Sequence, residues 1–424
     1  MPRRPRIEKI SQKMKSKGRS ARGENTAMPE KAQQSYRPTV TACCTGYICE
    51  AVANNFLPLL FLIFQSSLGI SLEQLTLLVT VNFMTQLAVD LISARLIDRI
   101  GYRRCVIFAH LLTAVGLLSL AALPSLLPVP YAGLLCAVVL YAAGSGLIEV
   151  LVSPIIEACP APDKHSLMSL MHSFYCFGTV AVVIISTLSL RIFGSDSWQF
   201  IAAAWALLPI GNAILFSRVP IYSMTELHGS MPIKHLLRTP IFWALFFLMF
   251  AAGACEMAMS QWASAFTESG LGVSKTVGDL LGVCMFSLMM GISRFLRSRV
   301  NIKASIFGLM AGCGVLCAAS YLLAALASHP AFALLGCGLC GFSVGILWPG
   351  VYSMAGELCP TGGTAMFAFL ALAGDVGSSG GPALVGCVAG SNGNDLSLGM
   401  LFSVVFPIML IVFALLTARL SRRS

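Results

Sequence analysis

Charge is what this sequence has least of. Asp, Glu, Lys and Arg make up 11% of its 424 residues, while 57% are hydrophobic; a soluble domain carries about 25% charge and about 45–50% apolar residues. A water-soluble fold of this length could not bury the apolar excess. Histidine is also scarce, at six residues. No H-E-x-x-H is present, and no Gly-rich stretch is followed by Lys at P-loop spacing, so no metal, nucleotide or other cofactor is expected. Gly341-Phe-Ser343-Val-Gly345 spells the G-x-S-x-G of hydrolases. It lies in an apolar run, however, and no His follows His329, whereas those enzymes need one downstream. An enzyme is not expected. A sensor would need an output domain, and neither tail offers a folded one.

What the chain does have is long apolar runs. Twelve are counted, near 41–67, 74–97, 104–123, 131–156, 166–190, 198–217, 240–266, 277–296, 304–326, 331–356, 363–389 and 397–418. Each is long enough to cross about 30 Å of hydrocarbon as a helix at 1.5 Å per residue, and a lipid-facing backbone must satisfy its own hydrogen bonds. An all-α membrane protein of twelve spans follows, with the lipid bilayer as its surroundings. The fifteen cysteines do not suggest disulfides. Most lie inside apolar runs, including the Cys337-x-x-Cys340 pair, and read as small packing residues. Residues 1–40 form a basic, polar tail expected to be disordered, with no apolar stretch to act as a signal peptide. Met28 is an alternative first residue.

Basic residues set the expected orientation. With the N-terminus in the cytoplasm, 26 of the 28 Lys and Arg fall on the inner side and only Arg191 and Lys275 on the outer. The net charge of +10 therefore comes from the tail and the inner loops and implies no nucleic-acid partner. Both termini are expected to be cytoplasmic, in the plasma (inner) membrane. The fourth span ends Glu157-Ala-Cys-Pro160 and the tenth Glu357-Leu-Cys-Pro360. That repeat divides the body into six-helix halves, 41–217 and 240–418, joined by a cytoplasmic linker at 218–239 and followed by a short tail at 419–424. A substrate path is expected between the halves.

Between spans two and three stands Ala94-Arg95-Leu-Ile-Asp98-Arg99-Ile-Gly101-Tyr-Arg103-Arg104. It resembles the G-x-x-x-D-R-x-G-R-R loop of the Major Facilitator Superfamily, with Ala94 for the first Gly. The second-half counterpart begins at Gly291 and keeps Arg294, Arg297 and Arg299 but has no Asp. Asn54-Asn55, Gly146-Leu-Ile-Glu149, Ser153-Pro154, Glu256, Gln261-Trp262 and Trp348-Pro349 resemble the fucose permease-like branch of proton-coupled sugar transporters. That branch carries an aspartate shortly after the Asn pair, where this chain has Pro58. The resemblance implies alternating access, a small-molecule solute, protons as coupling ion and a cytoplasmic gate. The gate is expected at Asp98, Arg99, Gly101, Arg103, Arg104, Gly291 and Arg294, with Asp90 grouped beside it. A monomer is expected to suffice.

Ionisable groups inside spans are costly and must face the bundle interior or water. Glu50, Asp90, Glu149, Glu256 and Asp375 lie well inside spans, in stripes at helical spacing such as Glu50–Asn54, Gln86–Asp90 and Glu149–Ser153. No Lys or Arg is expected deep in any span, so no buried cation would hold these acids ionised. Glu149 and Glu256 are the candidates for proton coupling. Asn54, Asn55, Gln86, Ser153, His172, Tyr175, Gln261, Trp262, Trp348 and Asp375 are the candidates for binding substrate, the tryptophans by stacking on a sugar. The expected function is secondary active transport of a sugar or similar polar metabolite; the alternative is export of drugs or other lipophilic or organic solutes. Twelve spans with both ends inside make a direct prediction. A reporter fused after Ser424 is expected to read cytoplasmic and one in the loop at 124–130 external; the reverse would break the count.

Overall fold

The computed structural model describes residues 36–271, 275–300, 304–327, 329–393 and 395–422. Among these residues there is helix and no strand, and the helices make twelve spans. Span one is Arg37–Leu59 with Phe61–Leu68; spans two to six are Leu72–Ile100, Tyr102–Leu126, Pro130–Ala158, Lys164–Phe193 and Trp198–Arg218. Two short helices, Met224–His228 and Ile233–Leu236, lie in the linker. Span seven is Pro240–Leu271, eight Lys275–Arg299 and nine Ile306–Leu326. Span ten is Pro330–Val344 with Leu347–Leu358, eleven Gly363–Ser391, and twelve Leu396–Phe402 with Val405–Ser421. Among the described residues nine helices are individually apolar and long enough to cross a membrane, and span one qualifies as a bent pair. Spans eight and eleven, of 25 and 29 residues, complete the twelve.

Two breaks follow from proline. Span one bends by 47° between its two helices, just after Pro58, whose ring cannot fit the ordinary helical ladder. Span ten breaks at Gly345–Ile346. Pro349 has no N–H to give the carbonyl four residues back, so the Gly345 carbonyl is free for another donor.

The halves meet through two symmetric pairings, span two with eleven and span five with eight. Span four also reaches eleven, and span five reaches ten. At the end bearing the basic loops these contacts are close. Thr364 at the start of span eleven donates to Asp98 Oδ1 and also bonds Tyr102. The repeated Glu-x-Cys-Pro ends face each other across the halves: a Cβ on Gly356 would lie 2.5 Å from the Glu157 carboxyl. Beside them His165 Nε2 meets Glu357 Oε1 at 2.9 Å, and Lys164 Nζ lies 3.6 Å from Glu157 Oε1.

Within the second half, spans seven and eleven pack backbone to backbone. A Cβ on Gly377 would stand 2.0 Å from the Phe250 carbonyl oxygen, so only glycine permits this approach. Gly377→Ala is expected to destabilise the protein by about 1–3 kcal/mol, read as a lower thermal unfolding temperature. Gly390→Ala, with nothing within 4 Å of its Cβ position, is expected to leave that temperature unchanged.

Candidate functional site

The interior between the halves is organised around a cation. Arg294, expected at the basic-end gate, is 3% exposed inside the bundle, which overturns the expectation of no Lys or Arg deep in a span. Its Nε donates to the freed Gly345 carbonyl at 2.7 Å. One terminal nitrogen donates to His172 O at 3.2 Å and lies 3.0 Å from Cys176 Sγ. The other lies 3.4 Å from Glu256 Oε2. One side chain from span eight thereby ties span five of the first half to spans seven and ten. The surrounding glycines make room for it. A Cβ on Gly345 would meet Ser293 Cβ at 2.7 Å, and one on Gly291 would meet the Phe177 ring at 2.9 Å.

The remaining acids have no such counter-ion. Glu50, Asp90 and Glu149 are 5%, 1% and 8% exposed. Among the described residues three ion pairs occur, and none of these three acids or Asp375 takes part. Asp90, grouped with the gate in the sequence, instead faces Asp375 of span eleven. That placement corrects the expectation: the carboxyl points across the halves into the interior and not to the basic loop.

Polar and aromatic groups from both halves complete this buried interior. Gln86 Nε2 donates to Asn54 Oδ1 at 2.8 Å and to Ser145 Oγ at 3.1 Å, locking spans one, two and four. Asn55 Nδ2 lies 3.3 Å from Thr179 Oγ1 in span five. Tyr47 O–H is shared between Ser153 Oγ and His172 Nε2, each at 3.2 Å. Tyr175 stands edge-on to Tyr47 with centroids 6.2 Å apart. From the second half, Tyr352 stacks on His172 at 5.8 Å and on Phe367 at 5.6 Å, and Trp348 lies 6.3 Å from Tyr352. The Trp348 N–H, the Tyr352 O–H and Ser353 Oγ are buried without partners. Buried polar atoms of this kind are normally satisfied, by protein, water or a ligand.

Some candidates fall elsewhere. Gln261 is exposed, and the Trp262 side chain lies outside the described residues. At the basic loop the expected cluster of Asp98 with arginines is not formed. Asp98 accepts from the hydroxyls of Thr364 and Thr225. Arg103 donates to the Phe216, Ser217 and Val219 carbonyls at the end of span six, the unpaired acceptors that any helix end presents. Arg99 and Arg104 are exposed, and Gly101 makes the tight turn at φ +95°. Conversely, Tyr47 and Tyr352 are central although the sequence did not single them out. Each stood at helical spacing from a chosen residue, Tyr47 three before Glu50 and Tyr352 four after Trp348. No group of three or more His, Cys, Asp or Glu that could hold a metal occurs among the described residues.

Comparison with known proteins agrees with this architecture. The sequence model described as Major Facilitator Superfamily matches residues 43–382. No curated protein sequence matches significantly. Among solved structures, the Escherichia coli fucose:proton symporter FucP superposes with a TM-score of 0.77 at 16% identity, covering 90% of this chain and 99% of that one. The proton:xylose symporter XylE, bound to 6-bromo-6-deoxy-D-glucose, gives 0.76 at 15%, covering 91% and 96%. A human organic anion transporter gives 0.71 at 13%, covering 91% and 100%. At these identities the likeness is one of fold.

The pairing of Arg294 with Glu256 can be tested by stability. Arg294→Gln leaves the carboxyl and two carbonyls facing a shortened donor and is expected to cost about 3–5 kcal/mol, seen as a lower midpoint in thermal or denaturant unfolding. Adding Glu256→Gln to that variant is expected to recover part of the loss, and strict additivity of the two changes would argue against the pair.

Proposed function

The chain belongs to the Major Facilitator Superfamily, and on that premise we propose that it is a secondary active transporter that couples a proton to a sugar or similar polar metabolite by alternating access. It is a multi-pass membrane protein of that family. In this reading the basic end faces the cytoplasm, and the bonds of Asp98, Tyr102 and His165 close it while the solute enters from the other side. Asp98 and the residues around Gly101 and Gly291 act as the gate.

The observation that carries the proposal is the unequal treatment of the interior acids. Glu256 is paired with the buried guanidinium, while Glu149 sits 8% exposed with no base. A carboxyl in that setting can take a proton from one side, cross neutral and lose it to the other, because neutral occupancy lowers the cost of the closed, dry state. The pairing of Glu256 makes it the weaker candidate. The sugar is supported by the unpartnered Trp348 N–H, Tyr352 O–H and Ser353 Oγ, with the Trp348 and Tyr352 rings 6.3 Å apart. Donors and acceptors next to an indole suit a ring that carries hydroxyls on its edge and C–H groups on its face.

Glu149→Gln mimics the protonated acid. In proteoliposomes it is expected to abolish pH-gradient-driven accumulation of a transported sugar while leaving substrate binding and counterflow exchange intact. Accumulation that persists under an imposed pH difference would remove Glu149 from the coupling role. A panel of labelled sugars and lipophilic cations, run with and without the gradient, discriminates the sugar reading from export of lipophilic solutes.

A further inference from the structure

Asp90 of span two and Asp375 of span eleven belong to different halves, and their carboxyls lie within hydrogen-bonding reach of each other. Asp90 is 1% exposed, and neither of its oxygens has a donor; Oδ2 of Asp375 has none either. Two ionised carboxylates cannot bond, since both only accept, and side by side they repel. One proton between them turns the same contact into an O–H···O⁻ bond, the strong charge-assisted kind.

Among the described residues no ion pair or hydrogen bond neutralises the pair. Glu50 of span one and Glu149 of span four, the other buried acids in electrostatic range, add only negative charge. Span ten contributes the neutral Tyr352. The Glu256 of span seven is taken up by Arg294 of span eight, whose other nitrogens are bonded to Gly345, His172 and Cys176. The His110 of span three bonds Val106 and Asn212, on the side of span six. A metal ion would need further oxygen ligands, and no three candidate ligands gather among the described residues.

We propose that Asp90 and Asp375 bind one proton between them, forming a proton site separate from Glu149 that fastens spans two and eleven together while the basic end is closed. The same two helices carry the Asp98–Thr364 bond, eight and eleven residues away along the chain, or about 12 and 16 Å. Both bonds therefore hold one seam. When the seam parts, the two carboxyls separate, the O–H···O⁻ bond breaks, and the proton leaves to water on the side that opens. This last step rests on the transport reading above; the bound proton itself is a property of the protein at rest.

The test uses the purified full chain without substrate or gradient. Infrared difference spectra between neutral and alkaline pH are expected to include, beside any band from Glu149 or Glu50, the loss of a protonated-carboxyl C=O band that belongs to the Asp90–Asp375 pair. That band should be missing in both Asp90→Asn and Asp375→Asn and retained in Glu149→Gln. Thermal stability gives a second readout. Raising the pH removes the shared proton and leaves two facing carboxylates, so wild-type stability should fall. Asp90→Asn keeps an N–H donor toward Asp375 at every pH and should flatten the curve, as should Asp375→Asn in the opposite sense of donation. A difference spectrum from which neither substitution removes a band, one whose only band is lost in Glu149→Gln, or a stability that follows sodium concentration instead of pH would overturn the proposal. Because these are equilibrium readouts, failure of Glu149→Gln to uncouple transport would leave them unaffected.

Discussion

A single buried guanidinium sets the geometry on which the rest of the interior depends. At membrane depth a charge must be both paired and hydrogen-bonded, and Arg294 meets that demand by drawing acceptors from spans five, seven and ten. One of them exists only because Pro349 withholds a donor from the Gly345 carbonyl. A broken helix is tolerated inside a membrane where the freed backbone is buried in protein, and here the break and the cation satisfy each other. Since His172 and Cys176 lie in the first half and Glu256 and Gly345 in the second, the arginine also joins the halves.

With Arg294, the buried cation among the described interior residues, engaged on Glu256, the other acids divide by position. Glu50 and Glu149 lie on the first-half side of this buried interior, while Asp90 and Asp375 face each other across the seam. Carboxyls without a base are compatible with hydrocarbon depth only if water, a ligand or protons reach them. The acid excess and the unpartnered Trp348 and Tyr352 therefore occupy one region, the one on which the proposed transport reading rests.

The basic end is held differently. At Asp98, one of the expected gate residues, the partners are the hydroxyls of Thr364 and Thr225, and Arg103 caps span six. Exposed ion pairs contribute little in water, whereas short hydroxyl–carboxylate bonds break and reform without stranding a charge. The His165–Glu357 contact beside the facing Glu157 and Gly356 adds a polar clasp at the ends of the two repeated segments.

Much of this was legible before any coordinates. The apolar runs dictated twelve helices because lipid offers the backbone no partner, and the interior acids and the Asn54, Gln86 and Ser153 stripes were readable because helical spacing puts such residues on one face. The Glu-x-Cys-Pro repeat was the signal for the expected division into two halves. What periodicity could not reveal is which stripes meet. Arg294, five positions before the basic end of span eight, read as a gate charge; only the packing of spans five, seven, eight and ten turned it inward, because the acceptors that make its burial tolerable come from residues far away in the chain. Asp90 likewise read as a neighbour of Asp98, and only the pairing of spans two and eleven set it against Asp375. Local sequence determined the helices and their polar faces, since both follow from backbone hydrogen bonding and a 3.6-residue period. The tertiary structure alone decided the partners, since charge compensation in a dry interior depends on distance in space and not along the chain.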